Sequence, residues 1–132
     1  MKLEDYLKNG RFYIWKETFA IIKVKQPLHN AFAIIQDKNE ITAVINQIKF
    51  DQTNIDNIIE ADKSWRLITF DMILPFGLIG FLAKIAKILA DGNISIFVIS
   101  AYSTDHVLVK EKDLEKAINQ LENLGLKAEY KK

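Results

Sequence analysis

Apolar residues change their spacing between residues 66 and 91, and this change predicts a strand followed by a helix. Within residues 66–74, Ile68, Phe70 and Met72 share one face at a period of two, as in a β-strand. Pro75 ends this strand because proline cannot donate a hydrogen bond to a sheet ladder. The helix over 78–91 is predicted by four apolar residues on one stripe, which are Leu78, Leu82, Ile85 and Leu89.

The rest of the C-terminal half predicts two strands, a helix and a last strand. Residues 94–101 are rich in β-branched side chains, as in a central strand, and residues 105–110 form the next strand. Residues 112–124 have helical spacing, and residues 126–130 alternate with their charges outward, as an edge strand does. The sequence therefore predicts an α+β fold with a ferredoxin-like βαββαβ unit in the C-terminal half. We expect its two helices on one face of an antiparallel sheet.

The N-terminal half has a weaker pattern of short elements. Residues 12–17 and 19–25 predict two strands that meet near Glu17, and residues 41–48 predict a third. Apolar residues at helical spacing over 28–35 predict one short helix.

The domain organisation follows from length and from one polar segment. A chain of 132 residues holds one domain with a proper core or two very small ones. The segment 51–63 is polar with scattered isoleucines and predicts a loop, which places the boundary between units 1–62 and 63–132. No long low-complexity linker separates them, so we expect a shared sheet or a tight interface.

Composition and charge exclude several classes of protein. Hydrophobic residues make up 49% and charged residues 27%, which is ordinary globular usage and argues against disorder. The formal net charge is +1, so nothing draws the chain as a whole to nucleic acid or to an acidic membrane. Cysteine is absent, which excludes disulfides and thiolate metal sites and fits a cytoplasmic protein. Residues 1–10 lack the apolar core of a signal peptide, and residues 72–83 are too short to span a bilayer.

Candidate binding residues lie at two points of the C-terminal half. Gly77 and Gly80 stand where the strand gives way to the helix, and N–H groups at a helix start can hold a carboxylate. The alternative is that Gly80 only permits tight packing of the helix on the sheet. Asp105 can accept from an ammonium group, or it can bond its own backbone in a turn. Tyr102 can form a pocket wall or simply pack.

The sequence does not indicate an enzyme. Ser103, Asp105 and His106 have the residue types of a catalytic triad, but neighbouring strand residues point to opposite faces. His29 and His106 are the two histidines, and neither has a partner at metal-ligand spacing. We therefore expect no catalytic residues, no metal and no cofactor.

A family resemblance is carried by three segments of the C-terminal half, which are Phe76–Ala83, Leu89–Phe97 and Ile99–Val109. These segments resemble ACT domains, in particular those of small tandem-ACT proteins similar to the cytosolic arginine sensors of animals. Residues 40–45 also look like the Glu-x-Ser/Thr-x-Val element of a first, reduced ACT repeat. The resemblance implies a complete ACT domain preceded by a reduced ACT-like unit, and a regulatory or sensor module that binds a small molecule.

The resemblance also implies where the ligand binds and how the chain assembles. ACT domains pair side by side and bind amino acids near the loop after the first strand, so it implies a homodimer. The implied ligand-binding residues are Pro75, Phe76, Gly77, Leu78, Ile79, Gly80, Tyr102, Thr104 and Asp105, with Thr42 and Val44 contributing backbone contacts from the first repeat. The arginine sensors carry an acidic residue just before the loop glycine, whereas Leu78 and Ile79 stand here. This departure argues against a guanidinium ligand and leaves a neutral amino acid or another ligand open.

Two other functions are compatible with the same fold. One is a ligandless ACT-type module for protein–protein assembly. The other is an RNA-binding ferredoxin-like domain, which needs two or three exposed aromatic residues on central strands beside a basic surface. Phe97 is the one aromatic residue in the strand 94–101, and the net charge is close to zero. The sequence therefore favours a small-molecule partner, without nucleic acid and without a membrane.

Overall fold

The computed structural model describes residues 2–129, which divide into two compact units. The terminal unit holds the residues up to Lys16 together with those from Arg66 onward, and the central unit is Glu17–Trp65. Two long strands, β1 (Arg11–Val24) and β4 (Ile58–Phe70), contribute to both units.

The central unit is built around strand β3. The elements of this unit are the end of β1, β2 (Ala33–Gln36), β3 (Ile41–Asn46), α2 (Gln47–Asp51), a 3-10 turn (Ile55–Asn57) and the start of β4. Strand β3 pairs antiparallel with β1 on one side and with β2 on the other, so that Ala43 lies opposite Ile22 and Ile34. Buried apolar residues from β1 and β3 form the core of this unit.

The terminal unit carries the helices of the predicted ferredoxin-like pattern. Its elements are α1 (Leu3–Asn9), the start of β1, the end of β4, α3 (Phe81–Asp91), β5 (Ile96–Ser100), β6 (Asp105–Lys110), a 3-10 turn (Glu111–Asp113), α4 (Leu114–Asn123) and β7 (Lys127–Glu129). Within this unit the strand order is β7-β1-β4-β6-β5, in which β5 and β6 are antiparallel and β7 and β1 are parallel. The predicted strand at 126–130 corresponds to β7, and Tyr130 lies outside the described residues.

Both predicted helices pack on the same face of this sheet, because one core cluster contains buried residues of both. Ile85 and Leu89 of α3 and Leu121 of α4 are fully buried in that cluster. Val107 and Val109, two residues apart on β6, join them from the sheet. The α+β fold class and the shared helix face are confirmed.

The N-terminal segment completes the core of the terminal unit. Phe12 is fully buried, its ring centroid lies 6.3 Å from that of Phe70, and its backbone lies opposite Ala128 of β7. Leu7 of α1 joins the same cluster. Residues up to Lys16 therefore pack with the C-terminal elements, while the division into ACT-like units at 62/63 stays a prediction.

Three predictions for the N-terminal half are wrong. The two strands predicted at 12–17 and 19–25 are one strand, Arg11–Val24, because the polar residues near Glu17 mark the boundary between the compact units and not a strand end. The short helix at 28–35 is absent, because Ala33–Gln36 pairs with β3 instead. Strand β4 begins at Ile58 inside the predicted loop, and its first residues are mostly exposed, so they show no apolar alternation. Helix α1 was not predicted.

Candidate ligand-binding site

A cleft of about 280 Å³ opens between the loop that leads into α3 and the turn that joins β5 to β6. We call residues 71–80 the entry loop and residues 101–104 the hairpin turn. The residues that the sequence assigned to a ligand site and that line this cleft are Pro75, Phe76, Leu78, Gly80, Tyr102 and Asp105. Two segments that are distant in sequence thus meet at one cavity of the terminal unit.

The other predicted site residues lie elsewhere. Gly77 and Ile79 line a second cavity, of about 470 Å³, beside α1. Thr104 does not line the cleft, and its hydroxyl oxygen lies 3.4 Å from Nε2 of His106. Thr42 and Val44 lie on β3 of the central unit, between two paired strands, and the Val44 side chain is fully buried. A ligand role for these residues stays a prediction.

Backbone hydrogen bonds fix the two walls of the cleft. The N–H of Leu74 in the entry loop donates to the carbonyl oxygen of Ser103 in the hairpin turn over 2.7 Å. The hairpin turn is closed by a 2.8 Å bond from the N–H of Ala101 to the carbonyl oxygen of Thr104. Because these bonds use main-chain atoms, the width of the cleft depends little on side-chain rotamers.

The N-terminus of helix α3 forms part of the lining of the cleft. Gly80 precedes the helix with φ +94°, a left-handed conformation that L-residues rarely adopt, and its carbonyl oxygen accepts from the N–H of Lys84. The first three N–H groups of a helix have no partner inside the helix, and here they belong to Phe81, Leu82 and Ala83, which all line the cleft. No side chain of the described residues caps this helix start. The arrangement therefore presents N–H donors and the positive end of the helix dipole to an anion.

Asp105 supplies the opposite charge. It is the first residue of β6, it is half-buried, and it lines the cleft across from the entry loop. Among the described residues that line this cleft, Asp105 alone has a side chain that is charged at neutral pH. A carboxylate in this position can accept charge-assisted hydrogen bonds from a cation.

His106 belongs to a buried network behind the cleft rather than to the cleft itself. Nε1–H of Trp15 donates to the hydroxyl oxygen of Thr69 over 2.8 Å, and the same oxygen lies 2.8 Å from Nδ1 of His106. Burial lowers the pKa of His106, while attraction to the Asp105 carboxylate acts in the opposite direction. A neutral ring can accept at Nδ1 and donate at Nε2 toward Thr104. The network holds the strand that carries Asp105.

Two aromatic rings stand at the mouth of the cleft. The ring centroids of Phe76 and Tyr102 are 4.8 Å apart and edge-to-face, one on each wall. These side chains remain 77% and 81% exposed. Sequence reasoning named both residues but had no signal for their contact.

Sequence reasoning missed part of the lining. Ser100 and Leu74 line the cleft, and so does the first helical turn, Phe81 to Ala83. The change from strand to helical spacing at Gly80 indicated that a helix begins there, but it did not indicate which residues face the cleft. Ser103 lines the cleft as well, although its residue type in the sequence indicates only a possible triad member.

Comparison with known proteins points to one type of fold. The family model of the ACT domain matches residues 60–123. The human protein CASTOR3P is 26% identical over an alignment of length 91. The match covers 63% of this chain and 56% of that protein, so the chain spans little more than half of this relative's length.

Solved structures resemble the chain over nearly its whole length. Protein Atu0741 from Agrobacterium tumefaciens has a TM-score of 0.79 at 23% identity, covering 93% of this chain and 94% of that chain. The ligand-free regulatory subunit of aspartate kinase from Thermus thermophilus has a TM-score of 0.63 at 11% identity, covering 89% of this chain and 97% of that chain. At these identities the likeness establishes the fold. The fold is the ferredoxin-like fold of ACT domains.

No helix within residues 2–129 is both long and apolar enough to cross a membrane. In the same residues, no group of three or more His, Cys, Asp or Glu side chains is placed to hold a metal ion.

Proposed function

We propose that this protein is a regulatory or sensor module that binds a free amino acid in the cleft of the terminal unit, and that it is not a catalyst. The observation that carries the proposal is the pairing of an uncapped helix start with a carboxylate in one cavity. A free amino acid is a zwitterion, so it carries a carboxylate that suits the helix start and an ammonium group that suits Asp105. The ACT-domain match and the likeness to a regulatory subunit of aspartate kinase support a regulatory role.

The geometry suggests how each end of the ligand is held. The α-carboxylate would accept from the N–H groups of Phe81, Leu82 and Ala83, where the helix dipole also favours an anion. The α-ammonium would donate to Asp105. The ligand side chain would then extend toward the mouth of the cleft.

A thermal-shift screen against the twenty amino acids tests this function. A ligand present at 100 times its dissociation constant stabilises the native state by about 2.7 kcal/mol. For a chain of 132 residues we expect Tm to rise by on the order of 10 °C. The rise should be much smaller in Asp105→Ala. If no amino acid shifts the melt, or if the shift is equal in Asp105→Ala, the proposed site is wrong.

A ligandless assembly module is the second candidate. Exposed apolar side chains on the entry loop favour it, since Ile73, Phe76 and Ile79 are each more than three-quarters exposed. If the thermal screen gives no ligand and Ile79→Glu turns a dimer into a monomer in light scattering, this function is supported instead.

We also propose that the protein is a cytoplasmic homodimer and that the central unit forms the core of a reduced ACT-like repeat. Strand β5 ends the strand order of the sheet, and Val98 on it is 38% exposed, so an edge is available for a second copy. Light scattering at micromolar concentration is expected to give twice the 15.2 kDa chain mass. A mass of one chain across that range would contradict the homodimer.

A further inference from the structure

The charges that line the cleft are few enough to restrict the ligand. The helix start at Phe81 offers one site for an anion, and Asp105 offers one for a cation. In the proposed function the two ends of the zwitterion occupy both. No further charged side chain lines the cleft in the part of the chain that the structure describes.

A ligand with a charged side chain would bring a third charge without a counterpart. A side-chain carboxylate would find no cationic side chain along the described lining, and a side-chain ammonium or guanidinium would have to share Asp105 with the α-ammonium. Contact with the apolar lining would remove part of the water around that charge, and no described lining residue would replace the lost hydration. The lining therefore disfavours acidic and basic amino acids.

The rest of the lining is mostly apolar and ends at the aromatic pair. Phe76 and Tyr102 touch each other, yet more than three-quarters of each side chain remains exposed to water. Large apolar side chains that stay exposed beside a cavity are typical of a binding surface. An apolar ligand side chain that lies against these rings would remove both from water, with a gain that grows with its area.

The size of the cleft limits the ligand as well. Its volume is about 280 Å³, just below the range of roughly 300–1,000 Å³ found for sites of drug-sized ligands. A space of this size suits a small ligand such as one free amino acid.

We infer that the cleft selects amino acids with an uncharged, apolar side chain, which packs against Phe76 and Tyr102. This inference rests on the proposed function, since it assumes that the two ends of a zwitterion bind at the helix start and at Asp105.

Titration calorimetry with a panel of free amino acids tests the inference. The panel contains leucine, isoleucine, methionine and phenylalanine, with glycine as the ligand without a side chain and aspartate, glutamate, lysine and arginine as the charged ligands. We expect at least one apolar amino acid to bind ten-fold or more tightly than glycine and than every charged one.

Two variants of Tyr102 distinguish a lost contact between the ring and the ligand from a loss of folding. Tyr102→Ala is expected to weaken the best apolar ligand about ten-fold and to leave glycine nearly unchanged, because only the side-chain contact is lost. Tyr102→Phe keeps the ring and should retain the wild-type affinity. Tyr102 is 81% exposed, so both variants are expected to melt at the wild-type temperature.

The outcomes are distinct. A charged amino acid that binds tightest, with an affinity that falls in Asp105→Asn, overturns the selectivity and leaves the proposed function intact. Apolar binding that is unchanged in Tyr102→Ala overturns the contact with the aromatic pair. If no amino acid binds, the proposed function itself fails, and the selectivity fails with it.

Discussion

The backbone N–H of Leu74 lies 2.7 Å from the carbonyl oxygen of Ser103, and this bond joins the two walls of the cleft. It connects the entry loop to the hairpin turn, which are nearly thirty residues apart in sequence. Because this main-chain bond ties the walls together, a ligand has little ordering to impose on them, and less of the binding free energy is lost to ordering.

A substitution at Gly80 tests whether the helix start needs its left-handed backbone conformation. Its φ of +94° strains any L-residue, so Gly80→Ala is expected to lower the free energy of unfolding by about 1–2 kcal/mol. The added Cβ would lie 3.3 Å from a terminal methyl of Leu3, which can move, so the backbone accounts for most of the cost.

The matched control is Gly77→Ala, at which an added Cβ meets nothing within 4 Å and φ is not in the left-handed region. Urea unfolding of the two variants checks this. Equal effects, or a loss at Gly77 alone, would show that the left-handed conformation at Gly80 does not matter.

The buried His106 predicts how stability depends on pH. Burial lowers its pKa in the folded state below the usual value of about 6.5, so the unfolded state takes up the proton first as the pH falls. The contribution of this group is therefore fully present above about pH 6.5 and is lost as the pH falls toward the lowered folded pKa.

Unfolding free energies at pH 7.5 and pH 5.5 measure this loss. We expect the drop between the two to be smaller in His106→Gln than in the wild type, and unchanged in His29→Gln, which removes an exposed histidine. An identical drop in the wild type and in His106→Gln would rule out this role for His106.

The packing of the N-terminal segment predicts the behaviour of a fragment. Residues 63–132 lack Phe12 and Leu7, which are buried in the core of the terminal unit, and they lack the strand that pairs with β7. Losing a buried phenylalanine alone costs about 3–5 kcal/mol, a large part of the stability of a small domain. We expect this fragment to be unfolded by circular dichroism while the full chain is folded. A fragment that unfolds cooperatively would instead support a self-sufficient domain from residue 63.

The sequence predicted the C-terminal elements well, since their patterns are local. The spacing around Ile85 in α3 reports burial on one face, whereas the apolar run within 105–110 reports a strand that is buried on both faces, and the structure has both elements. Strand β1 beside β7 could not be predicted, because the pairing of Phe12 with Ala128 joins opposite ends of the chain.

Pairing between strands, which local spacing does not report, also explains the wrong predictions in the central unit. Leu28 and Ala31 have helical spacing, and they do pack against buried residues, but they do so in irregular chain before β2. Pairing of Ile34 with Ala43 outweighs the local spacing. For the cleft, the sequence supplied Gly80 and Asp105, whereas the contact of the two exposed rings depends on tertiary structure alone.

The position of Asp105 in the cleft predicts that its charge strengthens the binding only of ligands that have an ammonium group. Asp105→Asn keeps the side-chain shape and removes the charge, so binding of an amino acid should weaken by about 1.5–3 kcal/mol, the usual worth of a hydrogen bond to a charged group. An N-acetylated ligand has no ammonium and should bind the wild type and Asp105→Asn equally weakly.

Calorimetry of the free and the N-acetylated amino acid on the wild type and on Asp105→Asn measures these four affinities. The control is Asp51→Asn, which changes an exposed aspartate of the central unit. If the N-acetylated ligand still distinguishes Asp105→Asn from the wild type, Asp105 acts on something other than the ammonium.

Amide chemical shifts on titration with the best-binding amino acid show whether the ligand carboxylate binds at the start of α3. We expect the ¹⁵N–¹H signals of Phe81, Leu82 and Ala83 to move most, because their N–H groups would donate to the carboxylate. The corresponding amino-acid amide, which lacks the carboxylate, should leave these signals nearly in place. Helix α4 provides the internal reference, and its first amides, beginning at Leu114, should not respond to either compound. Shifts that spare Phe81 to Ala83, or that are equally large with the amide, would show that the carboxylate does not bind at this helix start.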